Sequence, residues 1–173
     1  MTHLSEQAAK NLAAVREKKP LIHNITNYVV MNYTANALLA MGASPVMAHA
    51  QNEVEDMASF AGALVINIGT LEDEWIASML KAGKKASELN TPIILDPVGS
   101  GATALRTNAA KTIIEETRLS VIRGNASEIL SLRHADSKTK GVDSIHSVDE
   151  ATQTATVLAR ELNTALAITD RKS

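Results

Sequence analysis

A carboxylate followed by a glycine-rich stretch is the first feature of this sequence that could do chemistry. Asp96 closes the apolar run Ile93–Leu95 and precedes Pro97-Val98-Gly99-Ser100-Gly101. An acid at the end of a strand can hold Mg²⁺ or an activating water, while backbone N–H groups of such a loop can approach a phosphate. A strand-ending Asp followed by a flexible turn is the simpler interpretation. The local sequence leaves both open.

A second candidate is the stretch Arg123-Gly124-Asn125-Ala126-Ser127-Glu128, which follows an apolar run and opens a helical pattern. Phosphates bind at helix N-termini, and an arginine there can neutralise a nucleotide. The same residues also satisfy a purely structural rule, because Asn125 at the cap and Glu128 three residues later form a capping pair. Both interpretations can hold together.

A third candidate combines the segment His23–Asn27 with the segment Ala43–Met47. Polar amides beside a methionine could line a small, partly apolar ligand pocket. Alternatively, Met47 packs into the core and Asn27 caps the following helix. The sequence does not decide between these two interpretations.

The elements that must position these residues alternate between short apolar runs and longer stretches with helical periodicity. We predict an α/β fold with a mostly parallel sheet covered by helices on both faces, because the strands are continuously apolar and βα units repeat. Predicted strands span residues 21–25, 45–48, 63–68, 93–96, 120–122 and 165–169. Predicted helices span residues 4–18, 29–41, 53–61, 72–89, 108–116, 126–132 and 148–162, with a surface loop at 134–147.

Composition narrows the functional classes. The 173 residues fit a single domain, 1–173, with a net charge of −2 and no cysteine, so neither a basic nucleic-acid-binding stripe nor a thiolate metal site is expected. The five histidines show no paired ligand spacing. The sequence has no apparent signal peptide and no apolar run long enough to span a bilayer. We therefore expect a cytoplasmic protein that binds neither nucleic acid nor membrane.

Taken together and in order, several segments resemble the hydroxyethylthiazole kinase family over essentially the whole chain. The resemblance implies a ribokinase-like three-layer α/β sandwich, and it favours this family over a hydroxymethylpyrimidine kinase of the same superfamily through the segments that hold Asn27 and Met47. The matching segments are His23–Asn27, Thr34-Ala35-Asn36, Gly42–Met47, Asn67–Leu71, Asp96–Gly99 and Arg123–Glu128.

The resemblance also implies an activity and a set of roles. The family transfers the γ-phosphoryl group of ATP, with Mg²⁺, to the hydroxyethyl arm of 4-methyl-5-(2-hydroxyethyl)thiazole (the thiazole alcohol), a salvage step towards thiamine. It forms homotrimers with the thiazole site between subunits. The roles are thiazole contacts for Met47, Asn27, Val98 and Gly99, nucleotide contacts for Arg123, Thr169 and Asn125, and Mg²⁺ and catalytic roles for Asp96 and Glu128.

The sequence departs from the family pattern at its end. The pattern continues after Thr169 with a glycine, whereas this sequence has Asp170. The later Gly-rich segment that supplies the family's anion hole and main catalytic position is not among the 173 residues. We therefore expect an incomplete kinase domain with impaired activity. The alternative from a different class is an inactive remnant that binds ligand or only oligomerises.

Overall fold

The computed structural model of the protein describes residues 2–133 and 148–169, and the predicted loop at 134–147 lies outside them. The helices are α1 (Thr2–Lys18), α2 (Met31–Met41), α3 (Val54–Phe60), α4 (Asp73–Glu88), α5 (Ala104–Glu116), α6 (Ala126–Arg133) and α7 (Val148–Glu161). The strands are β1 (Leu21–Ile25), β2 (Ser44–Val46), β3 (Ala63–Asn67), β4 (Ile93–Asp96), β5 (Val121–Asn125) and β6 (Ala165–Thr169).

The strands form one sheet in the order β2-β1-β3-β4-β5-β6, and every pair in it is parallel. The prediction of an α/β fold with a parallel sheet is confirmed. Because all strands run in one direction, the residues that follow them meet at one edge of the sheet.

One face of the sheet carries the core. Leu64, Ile66, Ile93, Leu95 and Ile122 are completely buried there against small and branched side chains of α3 to α7. Burial of this size stabilises by about 1.5–3 kcal/mol for each large aliphatic side chain. Trp75 is the largest residue of this core, so aliphatic residues do most of the packing, as the 2% aromatic content requires.

The second face of the sheet is more open. Alternation turns Val65, Ile94 and Val121 to this side, where each is half-buried, and Ala167 of edge strand β6 is exposed. We predicted that helices cover both faces of the sheet. Within the described residues, only one face of β3 to β6 is fully covered. Helix α2 is also poorly covered, since none of its residues is buried and Tyr33 is 78% exposed.

Two predicted boundaries differ from the structure by three or more residues. Helix α5 begins at Ala104 rather than at 108, because the Thr103 side chain accepts a hydrogen bond from the Arg106 N–H and caps the helix there. Strand β5 runs to Asn125 rather than ending at 122, because all five of its residues pair with β6. Tertiary pairing thus extended a strand that its local sequence ended early.

Across residues 2–133 and 148–169, no helix is both long and apolar enough to cross a bilayer.

Candidate functional site

A row of polar side chains crosses the carboxyl edge of the sheet on its open face. Asn67 at the end of β3 lies opposite Asp96 at the end of β4, and the register of β4 with β5 brings Arg123 next. Asn67 Nδ2 donates to Asp96 Oδ2 at 2.8 Å. Arg123 Nη1 lies 3.4 Å from the same oxygen, a long contact that leaves the guanidinium free to turn to another anion.

Asp96 has an unusual environment for a carboxylate. Burial raises its pKa, while the neighbouring Arg123 charge opposes that rise, the Glu128 charge adds to it, and the Asn67 hydrogen bond also opposes it. Desolvation dominates, so the charged form is held at some cost in free energy. A half-buried acid between an arginine and another acid is typical of a functional site, because a cation bound there would relieve the repulsion between the two acids.

A hollow of about 290 Å³ opens beside Asp96. It is lined by all five residues for which we predicted nucleotide or metal contacts, together with one of the predicted thiazole contacts. Its lining consists of Asp96, Val98, Arg123, Gly124, Asn125, Glu128 and Thr169. Residues that lie far apart in the sequence are thus gathered at the ends of β4, β5 and β6.

Both carboxylate oxygens of Glu128 accept hydrogen bonds from backbone N–H groups. Its Oε2 accepts from the Asn125 N–H at 2.8 Å, and Asn125 Oδ1 accepts in return from the Glu128 N–H at 2.9 Å. The capping pair predicted at the start of α6 is therefore present. Glu128 Oε1 also accepts from the Gly99 N–H at 2.9 Å, so this residue ties the loop after β4 to the start of α6.

The Gly-rich loop is internally satisfied, which departs from one sequence-based interpretation. Consecutive N–H groups from residue 98 to 102 donate to Asp96 O, Glu128 Oε1, Pro97 O, Thr107 Oγ1 and Gly99 O. The idea that these N–H groups face a phosphate is therefore not met in this structure. The positive φ of Gly99, 74°, serves instead to fold the loop back on itself.

The predicted thiazole contacts are distributed along the sheet edge. Val98 and Gly99 lie in the loop beside Asp96, and Asn27, which is buried, reaches Asn67 through its Nδ2 at 2.8 Å. Asn27 Oδ1 accepts from the Val30 N–H in the turn before α2. The N-cap residue of α2 is Val30, without a side-chain cap hydrogen bond, so the interpretation of Asn27 as the helix cap was wrong. Met47 is half-buried after edge strand β2, which lies three strand spacings, about 14 Å, from β4.

Two residues in this region were missed as functional candidates. Arg106 on α5 donates from Nη1 to Ile68 O at 3.0 Å and to Val98 O at 2.8 Å, and from Nη2 to Gly69 O at 2.9 Å. It thereby joins the loops after β3 and β4. Nothing in the local sequence marks this arginine, whereas Asn67 could have been found as a polar residue ending a buried strand.

Trp75 packs against the two segments that hold the predicted thiazole contacts Asn27 and Met47. Its ring centroid lies 4.8 Å from that of Tyr28, which follows Asn27, and 4.7 Å from that of His49, which follows Met47. Tilted aromatic contacts of this length add about 0.5–1.5 kcal/mol each. One buried side chain of α4 therefore supports the loops after both β1 and β2.

The carboxylate oxygens of Asp96 and Glu128 are suitable ligands for Mg²⁺. Asp96 Oδ2 is engaged by Asn67 and Arg123, which leaves Oδ1 for a cation. Within the described ranges, no three His, Cys, Asp or Glu side chains cluster as a metal site. Mg²⁺ commonly takes only one or two carboxylates and completes its shell with water and phosphate oxygens, so Asp96 with Glu128 in the same hollow suits it.

Comparisons with known proteins bear on the family and on the fold. A model of the hydroxyethylthiazole kinase family matches residues 12–172. The chain is 68% identical over 169 residues to a hydroxyethylthiazole kinase from Desulfotalea psychrophila, covering 98% of this chain and 62% of that protein. It is 57% identical over 162 residues to one from Methanococcus maripaludis strain C6, covering 93% and 61%.

A solved structure shows the same fold. The hydroxyethylthiazole kinase protein of Pyrococcus horikoshii superposes with a TM-score of 0.81 at 49% identity, covering 93% of this chain and 59% of that chain. The chain thus spans about three fifths of the length of these relatives. The ribokinase-like α/β architecture predicted from the sequence is confirmed. On its sequence and its fold, this chain belongs to the hydroxyethylthiazole kinase family.

Proposed function

We propose that this protein takes part in ATP- and Mg²⁺-dependent phosphorylation of the thiazole alcohol, a salvage step towards thiamine. The observation that carries the proposal is the half-buried Asp96 beside Arg123, in a hollow at the carboxyl ends of three parallel strands. Phosphoryl transfer depends mainly on positioning and on stabilising charge. This hollow offers an arginine for phosphate and a carboxylate for Mg²⁺ within the same space.

In this proposal the nucleotide phosphates lie over β5 and β6. Arg123 is 54% exposed and can leave its long contact with Asp96 for a phosphate oxygen, while Asn125 and Thr169 line the same hollow. Mg²⁺ would be held by Asp96 directly and by Glu128 through water, because both Glu128 oxygens already accept backbone N–H bonds. The metal would supply positive charge against the phosphates.

The thiazole alcohol would contact Asn27, Val98 and Gly99 from one subunit and Met47 from a neighbour in a homotrimer. The separation of β2 from β4, about 14 Å, exceeds the length of the small alcohol, which supports a site shared between subunits. The exposed apolar residues Tyr33 and Met41 of α2, with Val29 in the turn before it, supply a surface for that contact.

The experiment for this function measures binding and turnover on the protein expressed from its natural gene. We expect it to bind the thiazole alcohol and a Mg²⁺ complex of a non-hydrolysable ATP analogue, and to phosphorylate the alcohol when ATP is supplied. Binding of both ligands without turnover would favour a ligand-binding remnant. Preference for a hydroxymethylpyrimidine over the thiazole alcohol would contradict the proposed specificity.

Met47→Ala tests the substrate assignment. The thiazole KM should rise several-fold while the ATP KM changes little, because the side chain would contact only the alcohol. Met57→Ala is a matched control, since Met57 is a half-buried methionine on α3, away from the sheet edge. Equal losses of thermal stability with unchanged thiazole KM in both variants would show that Met47 only packs.

A further inference from the structure

A directional chain of hydrogen bonds links the predicted thiazole contact to the predicted metal ligand. The Val30 N–H donates to Asn27 Oδ1 at 3.1 Å, Asn27 Nδ2 donates to Asn67 Oδ1 at 2.8 Å, and Asn67 Nδ2 donates to Asp96 Oδ2 at 2.8 Å. Asn27 and Asn67 are each only 8% exposed. Hydrogen bonds in such a buried chain polarise one another.

The orientation of both amides follows from backbone donors. The Gly69 N–H lies 2.9 Å from Asn67 Oδ1, and a backbone N–H can only donate, so the atom facing it must be oxygen. The same argument applies to Asn27, whose Oδ1 faces the Val30 N–H. Each amide is therefore locked with its NH₂ group pointing towards Asp96.

The space around this chain is tight. A side-chain carbon added at Gly69 would lie 2.7 Å from Asn27 Nδ2 and 3.0 Å from Asn27 Cβ, closer than atoms can pack without movement. Asn27 therefore has no room to shift towards Gly69 while the chain stays intact. A movement of Asn27 that kept its hydrogen bond to Asn67 would also shift Asn67, and through it Asp96.

We propose that Asn67 is a positioning residue that orients Asn27 and Asp96 together, so that the thiazole end and the phosphate end of the site are coupled through one amide. Its Oδ1 holds the Asn27 amide towards the alcohol. Its Nδ2 engages Asp96 Oδ2, so that Oδ1 of Asp96 faces the metal and the phosphates. This inference rests on the proposed function for its ligands, but not for its geometry.

The principal test replaces Asn67 by leucine, which has a similar size and no hydrogen-bonding groups. We expect the affinities for the thiazole alcohol and for the Mg²⁺ complex of a non-hydrolysable ATP analogue each to fall about tenfold or more, as for the loss of a hydrogen bond to a charged or buried group. Calorimetric titration of each ligand measures both. Unchanged affinity for both ligands in a folded variant would overturn the proposal.

Asn24→Leu provides a matched control. Asn24 is a buried asparagine of β1, 1% exposed, whose Nδ2 donates to Ile22 O at 2.8 Å, outside the chain that ends on Asp96. We expect this variant to lower the melting temperature while both affinities stay within about twofold. If Asn24→Leu weakened both ligands as much as Asn67→Leu, general loosening of the fold would explain the effect and the proposal would be wrong.

A double variant separates positioning from packing. If Asn67 acts on the alcohol only through Asn27, the Asn27→Leu, Asn67→Leu pair should bind the alcohol no more weakly than Asn27→Leu alone. If the double variant lost alcohol affinity by the product of the two single-variant losses, Asn67 would not act through Asn27, and the proposed coupling would be wrong. Gly69→Ala provides a second route, since it displaces Asn27 while both amides remain, and it should weaken the nucleotide complex as well as the alcohol.

A ligand-free measurement keeps this inference separate from the proposed function. The side-chain amide signals of Asn27 in nitrogen-15 NMR spectra should move in Asn67→Leu and stay in place in Asn24→Leu. If the unaltered protein bound no thiazole alcohol yet these signals moved, the proposed function would fail while the positioning role stood. If the Asn27 signals did not move in Asn67→Leu, the positioning role would be wrong, whatever the result of the ligand-binding measurements.

Discussion

The two ends of the sheet each carry a polar hollow with an arginine, and the two hollows differ in chemistry as well as in size. The hollow at the amino ends is the larger, about 420 Å³ against about 290 Å³. Arg118 lines it, with Nη1 3.4 Å from Asn90 Oδ1. No carboxylate is among its lining residues, whereas Asp96 and Glu128 line the hollow at the carboxyl ends.

Helix direction explains the difference. At the amino-end hollow, α4, α5 and α7 all terminate, and the C-terminal end of a helix carries partial negative charge. At the carboxyl-end hollow, α6 begins directly after Asn125, so its positive end faces the space where phosphate would bind. Volume alone therefore does not single out the proposed site; the charges and the helix polarity do.

Asp96→Asn is expected to have the largest effect of the variants that distinguish the two ends of the sheet. We expect turnover of the thiazole alcohol to fall by about 10²–10³-fold, because the proposed metal contact is lost. Burial raises the pKa of Asp96, so a neutral amide should leave the melting temperature unchanged or higher. The measurements are steady-state kinetics and thermal unfolding.

Ser120→Ala at the amino-end hollow serves as the control for Asp96→Asn. Ser120 lines that hollow and is exposed, and its replacement should leave turnover within about twofold. Equal loss in the two variants would show that the ends of the sheet are not distinguished by their chemistry.

The two arginines, Arg123 and Arg118, are expected to differ in their contribution to nucleotide binding. Arg123→Ala should weaken nucleotide binding by about 1.5–3 kcal/mol, the expected value for a lost charge-assisted hydrogen bond, with little effect on the thiazole alcohol. Arg118→Ala should change neither affinity appreciably. Titration with a non-hydrolysable ATP analogue measures the difference, and equal nucleotide affinities in the two variants would remove the phosphate role from Arg123.

A smaller effect is expected at Arg106, which binds three backbone carbonyls rather than a ligand. A lysine ammonium lacks the planar fork that holds them, so Arg106→Lys should raise the thiazole KM several-fold by loosening the loop of Val98 and Gly99. Arg118→Lys is the matched control at the opposite end. A lower melting temperature with an unaltered thiazole KM would limit Arg106 to a structural role.

The smallest effect concerns His23 on β1, which is fully buried with Nε2 2.8 Å from Ala48 O. Burial lowers its pKa, although the Ala48 hydrogen bond and the Glu53 charge oppose this. Its contribution to stability is therefore complete above about pH 6.5, the unfolded value, and is lost as the pH falls below it.

His23→Gln keeps an N–H donor for Ala48 O and cannot titrate. Its melting temperature should consequently fall less steeply than that of the unaltered protein between pH 7.5 and 5.5. Parallel slopes in the two proteins would indicate that His23 does not titrate with folding.

The sequence by itself determined the local structure and the family. Apolar periodicity located each strand and helix of the described residues to within a few positions, and the bounds of β1, β4 and β6 agreed with those in the structure. The capping pair of Asn125 and Glu128 was also visible, because its partners are three residues apart. Such features depend on neighbours along the chain, and local rules suffice to predict them.

Only the tertiary structure decided how the site is assembled. The strand order places Asn67 beside Asp96, and hydrogen bonds between residues 40 and 29 positions apart join Asn27 to Asn67 and Glu128 to Gly99. In the Gly-rich loop only the Gly99 N–H makes such a long-range bond, since the other N–H groups from 98 to 102 donate within six residues. Arg106 reaches the distant carbonyls of Ile68 and Gly69, which the local sequence did not reveal. Pairings at this distance depend on the packing of the whole sheet, which no short window of sequence contains.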